Sequence, residues 1–382
     1  MYKIKSKISI IIFISILIGG LIIGCNNDKE ISSINNYKES LKKPITITKN
    51  SLNIMIDPRI ELLSIVQYLS NYDEEYDLMT KYDFEYRGRV DEYFTPFKEH
   101  KAVKLFDRLS DKGFLYHIPP ETMLYMTNEF KLREDIDMSE YLTENKKELE
   151  EFYESLYDFF RDTKFNDFYD ENEEYYFSLV ENVSHTIDGE NDIIKELEEY
   201  YGIKQKSYNL ILVSLYTEVG FGIRLGTVAD EGYEIYSVIG PTVSSNNVGF
   251  GSKTNFNSIQ IHEFSHSFIN PLTEKYWNEA KKYSKLYIPV KDTMEKEAYG
   301  DWESCLNEHI IRAITARFNY KKDKSLGDNT IEWEKENGFI YIDKLLEKLD
   351  EYDNNRDIYP TFESFYPELL KSLDYYIENS NM

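Results

Sequence analysis

Residues 261–271 read Ile261-His262-Glu263-Phe264-Ser265-His266-Ser267-Phe268-Ile269-Asn270-Pro271. The segment contains H-E-x-x-H, and Ile259, Ile261, Phe264 and Phe268 place apolar groups around it at helical intervals. On an α-helix, residues four apart lie one above the other, so His262 and His266 share a face. Two imidazoles so placed supply two of the nitrogen ligands that Zn²⁺ favours. Glu263 is adjacent, close enough to take a proton from a water held by such a metal. The chain has only six histidines, which makes a chance match of this spacing rare. Thr254, Asn255, Asn257 and Ser258 offer N-caps before the apolar run, and Asn270-Pro271 is expected to end the helix, because the residue before proline is pushed out of helical geometry. Asn270, four residues past His266, either orients that ligand or caps the turn.

Upstream of the motif the texture is that of strands. Asn209 to Tyr216, Phe221 to Val228 and Tyr233 to Ile239 are apolar runs of strand length separated by turn signals, and a Ser-, Asn- and Gly-rich loop from Ser244 to Ser252 leads into the helix. A small sheet followed by an H-E-x-x-H helix resembles the zincin metalloprotease fold. That resemblance implies an edge strand that pairs with extended substrate, expected here at Tyr233 to Ile239.

Two histidines leave a zinc site incomplete, and a third protein ligand is expected. The extension H-E-x-x-H-x-x-G-x-x-H is missing, which excludes a third histidine in that register. The segment from Asp301 to Ala313 reads as a helix with Leu306, Ile310, Ala313 and Ile314 on its apolar side. Glu308 falls in the most apolar part, where an unpaired carboxylate is costly. Ligation of zinc accounts for it; so does pairing with Arg312 one turn on, and Arg312 could orient a ligating Glu308. Glu303 is the next candidate, with His309 and Asp292 more remote.

From about Tyr208 to Tyr320 the chain is similar to the gluzincins, zinc peptidases with H-E-x-x-H on one helix and a glutamate on a later one. HEFSHSFINP followed by NEHIIRA more closely resembles an uncharacterised bacterial family described only as a domain of unknown function. The resemblance implies a zinc peptidase in which His262, His266 and Glu308 hold Zn²⁺ and Glu263 is general base and proton shuttle. It also implies a Tyr or His that stabilises the oxyanion, for which Tyr299, Tyr366 and His309 are candidates. The separation between His266 and Glu308 is longer than in well-studied gluzincins. An alternative is a binding or adhesion lipoprotein that keeps a zincin scaffold without turnover.

The N-terminus reads as an address. Lys3, Lys5 and Lys7 precede an apolar run from Ile8 to Ile23, then Gly24-Cys25. This resembles a bacterial lipobox, which implies a signal peptide over residues 1–24, a lipid on Cys25 and a protein tethered to the membrane, facing outward. Cys305 is the one other cysteine, expected as a small core residue, so the mature chain has no internal disulfide. The formal net charge of −25 argues against nucleic-acid partners and for a peptide or protein substrate.

The expected organisation is α+β: a polar tether over 25–51, a mainly helical region over 52–205, and a zincin-like metallopeptidase region over 206–382. In the helical region Ile60, Leu63, Val66 and Leu69, and later Leu149, Phe152, Leu156 and Phe159, recur at helical spacing. Its aromatic clusters read as core, and His100, His117 and His185 receive no role. No repeat and no Gly-rich phosphate loop is present. Ile342, Leu345, Leu346 and Leu349 mark a further helix near the C-terminus.

Overall fold

The computed structural model describes residues 39–187, 192–227, 232–244, 247–251 and 253–379. The expected signal peptide and Cys25 lie outside them. Among the described residues no helix is long and apolar enough to cross a membrane.

The architecture is α+β, helical with a mixed five-stranded sheet. The strands are β1 (Ile45–Lys49), β2 (Leu52–Ile56), β3 (Ser207–Leu212), β4 (Gly220–Gly226) and β5 (Tyr233–Ile239), in the order β1-β2-β3-β5-β4. The three strands read from the sequence are thus present, the third at its expected limits and the first ending at Leu212, short of Tyr216. Two more lie where the sequence is expected to form tether and helix. β1 falls inside the expected tether, and β2 opens the region expected to be helical. Both are five-residue strands, too short for periodicity to separate from loop or helix. β2 pairs in parallel with β3 through Leu52–Tyr208 and Ile54–Leu210, so the sheet joins the two regions the sequence suggested as separate.

The helical expectations over Ile60–Leu69 and Leu149–Phe159 correspond to helices Pro58–Leu69 and Lys146–Asp162, whose apolar stripes are buried. The aromatic clusters are largely core, with Tyr86, Phe94, Phe159, Phe165 and Phe168 almost wholly enclosed.

Tyr233–Ile239 is not an edge. β5 is paired on one side with β3, in parallel, and on the other with β4, antiparallel, and is buried over nearly its whole length. The edge strand is β4. At the far end its free side is closed, where Asp137 donates its backbone N–H to the Gly226 carbonyl at 2.9 Å and Ile136 bridges Thr227.

The histidine helix runs Lys253–Lys275 and packs against β4 and β5. It starts before the four polar residues read as its caps, and it passes through Pro271 instead of stopping there. Proline removes one backbone donor. Here Ile269 and Thr273 are fully enclosed and Leu272 nearly so, and Thr273 bonds Asn307 and Tyr366 from neighbouring helices, so tertiary packing keeps the last turn helical. The glutamate helix, Trp302–Lys322, is capped by Asp301, lies against the histidine helix and is covered by helices Lys324–Glu336 and Ile342–Asn354.

Candidate metal centre

His262 and His266 project from one face of the histidine helix toward Glu308 of the glutamate helix. The two Nε2 atoms are 3.3 Å apart, His266 Nε2 is 3.3 Å from Glu308 Oε1, and His262 Nε2 is 3.6 Å from Glu308 Oε2. A tetrahedral ion with bonds of about 2.0–2.1 Å separates its ligand atoms by about 3.3–3.4 Å. The closest approaches among the three groups are thus near the ligand-to-ligand spacing of a zinc tetrahedron, and one ligand atom from each residue lies within 4.8 Å of the other two. Among the described residues this is the group of His, Cys, Asp and Glu that could hold a metal ion.

The protonation states suit the same use. Burial pushes His262 down to about 3, so its ring is neutral with a free lone pair. His266 Nδ1 lies 3.4 Å from Asn270 Oδ1; a proton shared there leaves Nε2 as the lone-pair nitrogen. Asn270 thus orients a histidine within an unbroken helix, the first of its two expected roles. Burial works against a charged Glu308, but His262, His266, Arg312 and Tyr299 together hold its carboxyl below the usual range.

Arg312 fixes that carboxylate. Its Nε donates to Glu308 Oε2 at 3.2 Å, one terminal nitrogen donates to Glu334 Oε2 at 2.7 Å and the other to the Tyr299 hydroxyl at 3.3 Å. The guanidinium also sits 4.1 Å over the Phe339 ring. The two explanations of Glu308 weighed from the sequence hold together: it faces the histidines and it pairs with Arg312.

Glu263 is nearly buried beside the triangle. Burial, and then the charge of Glu308, push its carboxyl up to about 8, while the backbone N–H of Gly222 on β4 donates to it. Gly220 and Gly222 make this approach possible. A Cβ at Gly220 would lie 2.1 Å from Glu263 Oε1, and one at Gly222 would lie 2.2 Å from the Glu263 backbone oxygen and 2.9 Å from His266 Cβ. A side chain at Gly222 would drive strand and helix apart, and one at Gly220 would displace the Glu263 carboxylate.

Other candidates fall elsewhere. Glu303 and Asp292 are not in the group, and Asp292 is exposed. His309 turns into the core, its Nδ1 donating to the Cys305 carbonyl at 2.7 Å and its ring against Phe339 and Tyr341. Tyr366 bonds Thr273 at 2.5 Å, within the helical core. Of the expected oxyanion donors only Tyr299 reaches the centre, where it supports Glu308 and Arg312. Cys305 is buried, as expected of a core residue.

Sequence reading missed Gly220, Gly222 and Glu334. Two glycines at alternate positions of a strand are a readable sign of close approach; Glu334 left no sign, since its partner is set by how two helices cross.

A family model described as "Domain of unknown function (DUF4932)" matches residues 52–372. The chain belongs to this family. The match agrees with the resemblance to an uncharacterised domain, and the DUF4932 span runs from β2 through both ligand-bearing helices. No curated protein and no solved structure matches the chain.

Proposed function

We propose that this DUF4932 protein is a zinc-dependent peptidase, anchored through a lipid on Cys25 to the outer face of the membrane. The observation that carries the reading is the His262–His266–Glu308 triangle with Glu263 beside it, held against an edge strand. Zinc, when bound, lowers the pKa of a coordinated water toward neutrality and polarises a substrate carbonyl. The remaining work belongs to the chain. Glu263, next to His262 on the same helix, would accept the proton of the attacking water and return it to the nitrogen of the leaving amine. The free side of β4 offers backbone donors and acceptors to an extended peptide, aligning it along the histidine helix.

Metal content and peptide hydrolysis, measured on wild type beside His262→Ala, Glu308→Ala and Glu263→Gln, test this. The expected result is about one zinc per chain, lost in the first two variants and retained in the third. Hydrolysis should disappear in all three. A reconstituted wild type without zinc ends the proposal, and a Glu263→Gln protein that still cleaves removes Glu263 from the mechanism. A wild type that binds zinc and peptides but cleaves none favours the binding-lipoprotein alternative. Cys25→Ser should release the protein from the membrane fraction; persistence there would argue for an uncleaved membrane anchor.

A further inference from the structure

A cavity of about 460 Å³, within the roughly 300–1,000 Å³ typical of ligand sites, lies along β4. His262, Glu263, His266 and Glu308 do not line it, but two of their neighbours do. Gly222, whose N–H bonds Glu263, is one, and Asn270, which contacts His266, is the other. The cavity follows β4 outward past Arg224 to Gly226, where the segment at Asp137 closes the strand's free edge. A peptide laid on that edge sends alternate side chains to the same face. A side chain entering beside Arg224 stands two residues along from one beside Gly222.

The charge of the walls is unbalanced. Glu121, Asp137 and Glu274 line the cavity together with Arg224. Arg224 is already engaged, lying 3.7 Å from Glu274 and 4.9 Å over the Tyr233 ring. Glu121 and Asp137 have no ion-pair partner among the described residues. Asp137 is exposed, whereas Glu121 is only partly so. Glu121 stands in the first turn of the helix Ile118–Leu124, behind Pro119 and Pro120, and its carboxylate has no hydrogen-bond partner among the described residues. Desolvation pushes its carboxyl up to about 7, and Arg224 offsets only part of that. Such a group is costly to leave unpaired in a binding cavity. An entering ammonium or guanidinium relieves the cost, an acidic side chain adds to it, and an apolar one leaves it standing.

We propose that this cavity is the specificity pocket for a lysine or arginine side chain of the peptide substrate, with Glu121 as its ion-pair partner. This rests on the peptidase reading and adds a substrate class to it.

The test uses zinc-loaded full-length protein and quenched-fluorescence peptides in which each position in turn carries Lys, Arg, norleucine or Glu. One position within two residues of the cleaved bond should favour Lys or Arg over norleucine by at least about tenfold in kcat/KM. Glu121→Gln, which keeps shape and removes charge, should collapse that ratio, and Glu121→Lys should turn the preference toward Glu. Cleavage with no basic preference, or a preference untouched in both variants, overturns the pocket and leaves the peptidase standing. If wild type cleaves nothing, the peptidase reading fails, and binding decides the pocket alone. Fluorescence anisotropy on Glu263→Gln should then show Lys peptides binding more tightly than norleucine peptides, with the difference lost on adding Glu121→Gln. Equal binding overturns the pocket as well.

Discussion

Arg312 holds two carboxylates that come from different helices, Glu308 and Glu334, and donates a third hydrogen bond to Tyr299. The planar guanidinium suits this, because its donors point in fixed directions that a single ammonium cannot reproduce. Arg312→Lys keeps the charge and much of the packing but loses the three-way hold on Glu308. Zinc affinity, measured by competition with a chromophoric chelator, should fall by about tenfold or more. An unchanged affinity would mean that Glu308 needs no support in order to face the histidines. The sequence offered the Glu308–Arg312 pair through its four-residue spacing, and His262, Glu263 and His266 through theirs, because a helix fixes those relations locally. It was silent on Glu334 and on the contact of Tyr299 with Arg312, because both depend on how separate segments pack together. The same holds for Glu121: nothing near it in the chain suggests that it faces a cavity shared with β4 and the histidine helix.

At the scale of elements, the centre depends on how closely one strand approaches one helix. Gly222 is the tightest point that a substitution can probe, since its added Cβ meets helix backbone and not the end of a flexible side chain. Gly222→Ala should therefore lower stability by about 1–3 kcal/mol and sharply reduce hydrolysis, because β4 can no longer bond Glu263. Gly88→Ala is the control. Gly88 lies inside the helix Glu85–Phe94 with nothing near its missing Cβ, so alanine there should be neutral or mildly stabilising. Denaturant unfolding and peptide assays on both variants decide the matter; a Gly222→Ala protein with wild-type stability and turnover would refute the tight apposition. Element identity was legible in the sequence where runs were long or strongly patterned, as in Lys146–Asp162 and the three strands of residues 207–239. It failed where the answer lay in pairing partners. The two short strands β1 and β2 show their nature only through the sheet they join. Tyr233–Ile239 was rightly a strand, but its apolar residues are those of a strand enclosed on both sides, and the glycine-rich β4 takes the edge. Pro271 obeys its local rule less than it obeys the packing of Ile269 and Thr273.

Across the whole molecule, stability should carry a pH-dependent part that comes from a carboxyl outside the metal group. Glu61 lies on the helix Pro58–Leu69, is almost completely enclosed, and is bonded by the hydroxyl of Tyr86, with Tyr176 beside it; these tyrosines come from two other helices. Burial pushes its carboxyl up to about 7, against which the tyrosine hydroxyls act only in part. In the unfolded chain the same group ionises near 4.5. Between those values the folded state keeps a proton that the unfolded state has lost, so stability falls as pH rises. The contribution is fully present below about 4.5 and gone above about 7, a change of about 3 kcal/mol. Glu61→Gln carries no titrating proton and should lose that part of the slope. Guanidinium unfolding of both proteins at pH 5 and pH 8, with chelator present so that metal binding does not contribute, gives the difference directly. Wild type should weaken relative to Glu61→Gln as pH rises. Parallel behaviour of the two proteins would mean that Glu61 is ionised in the folded chain and that its tyrosine partners are enough to hold a buried charge.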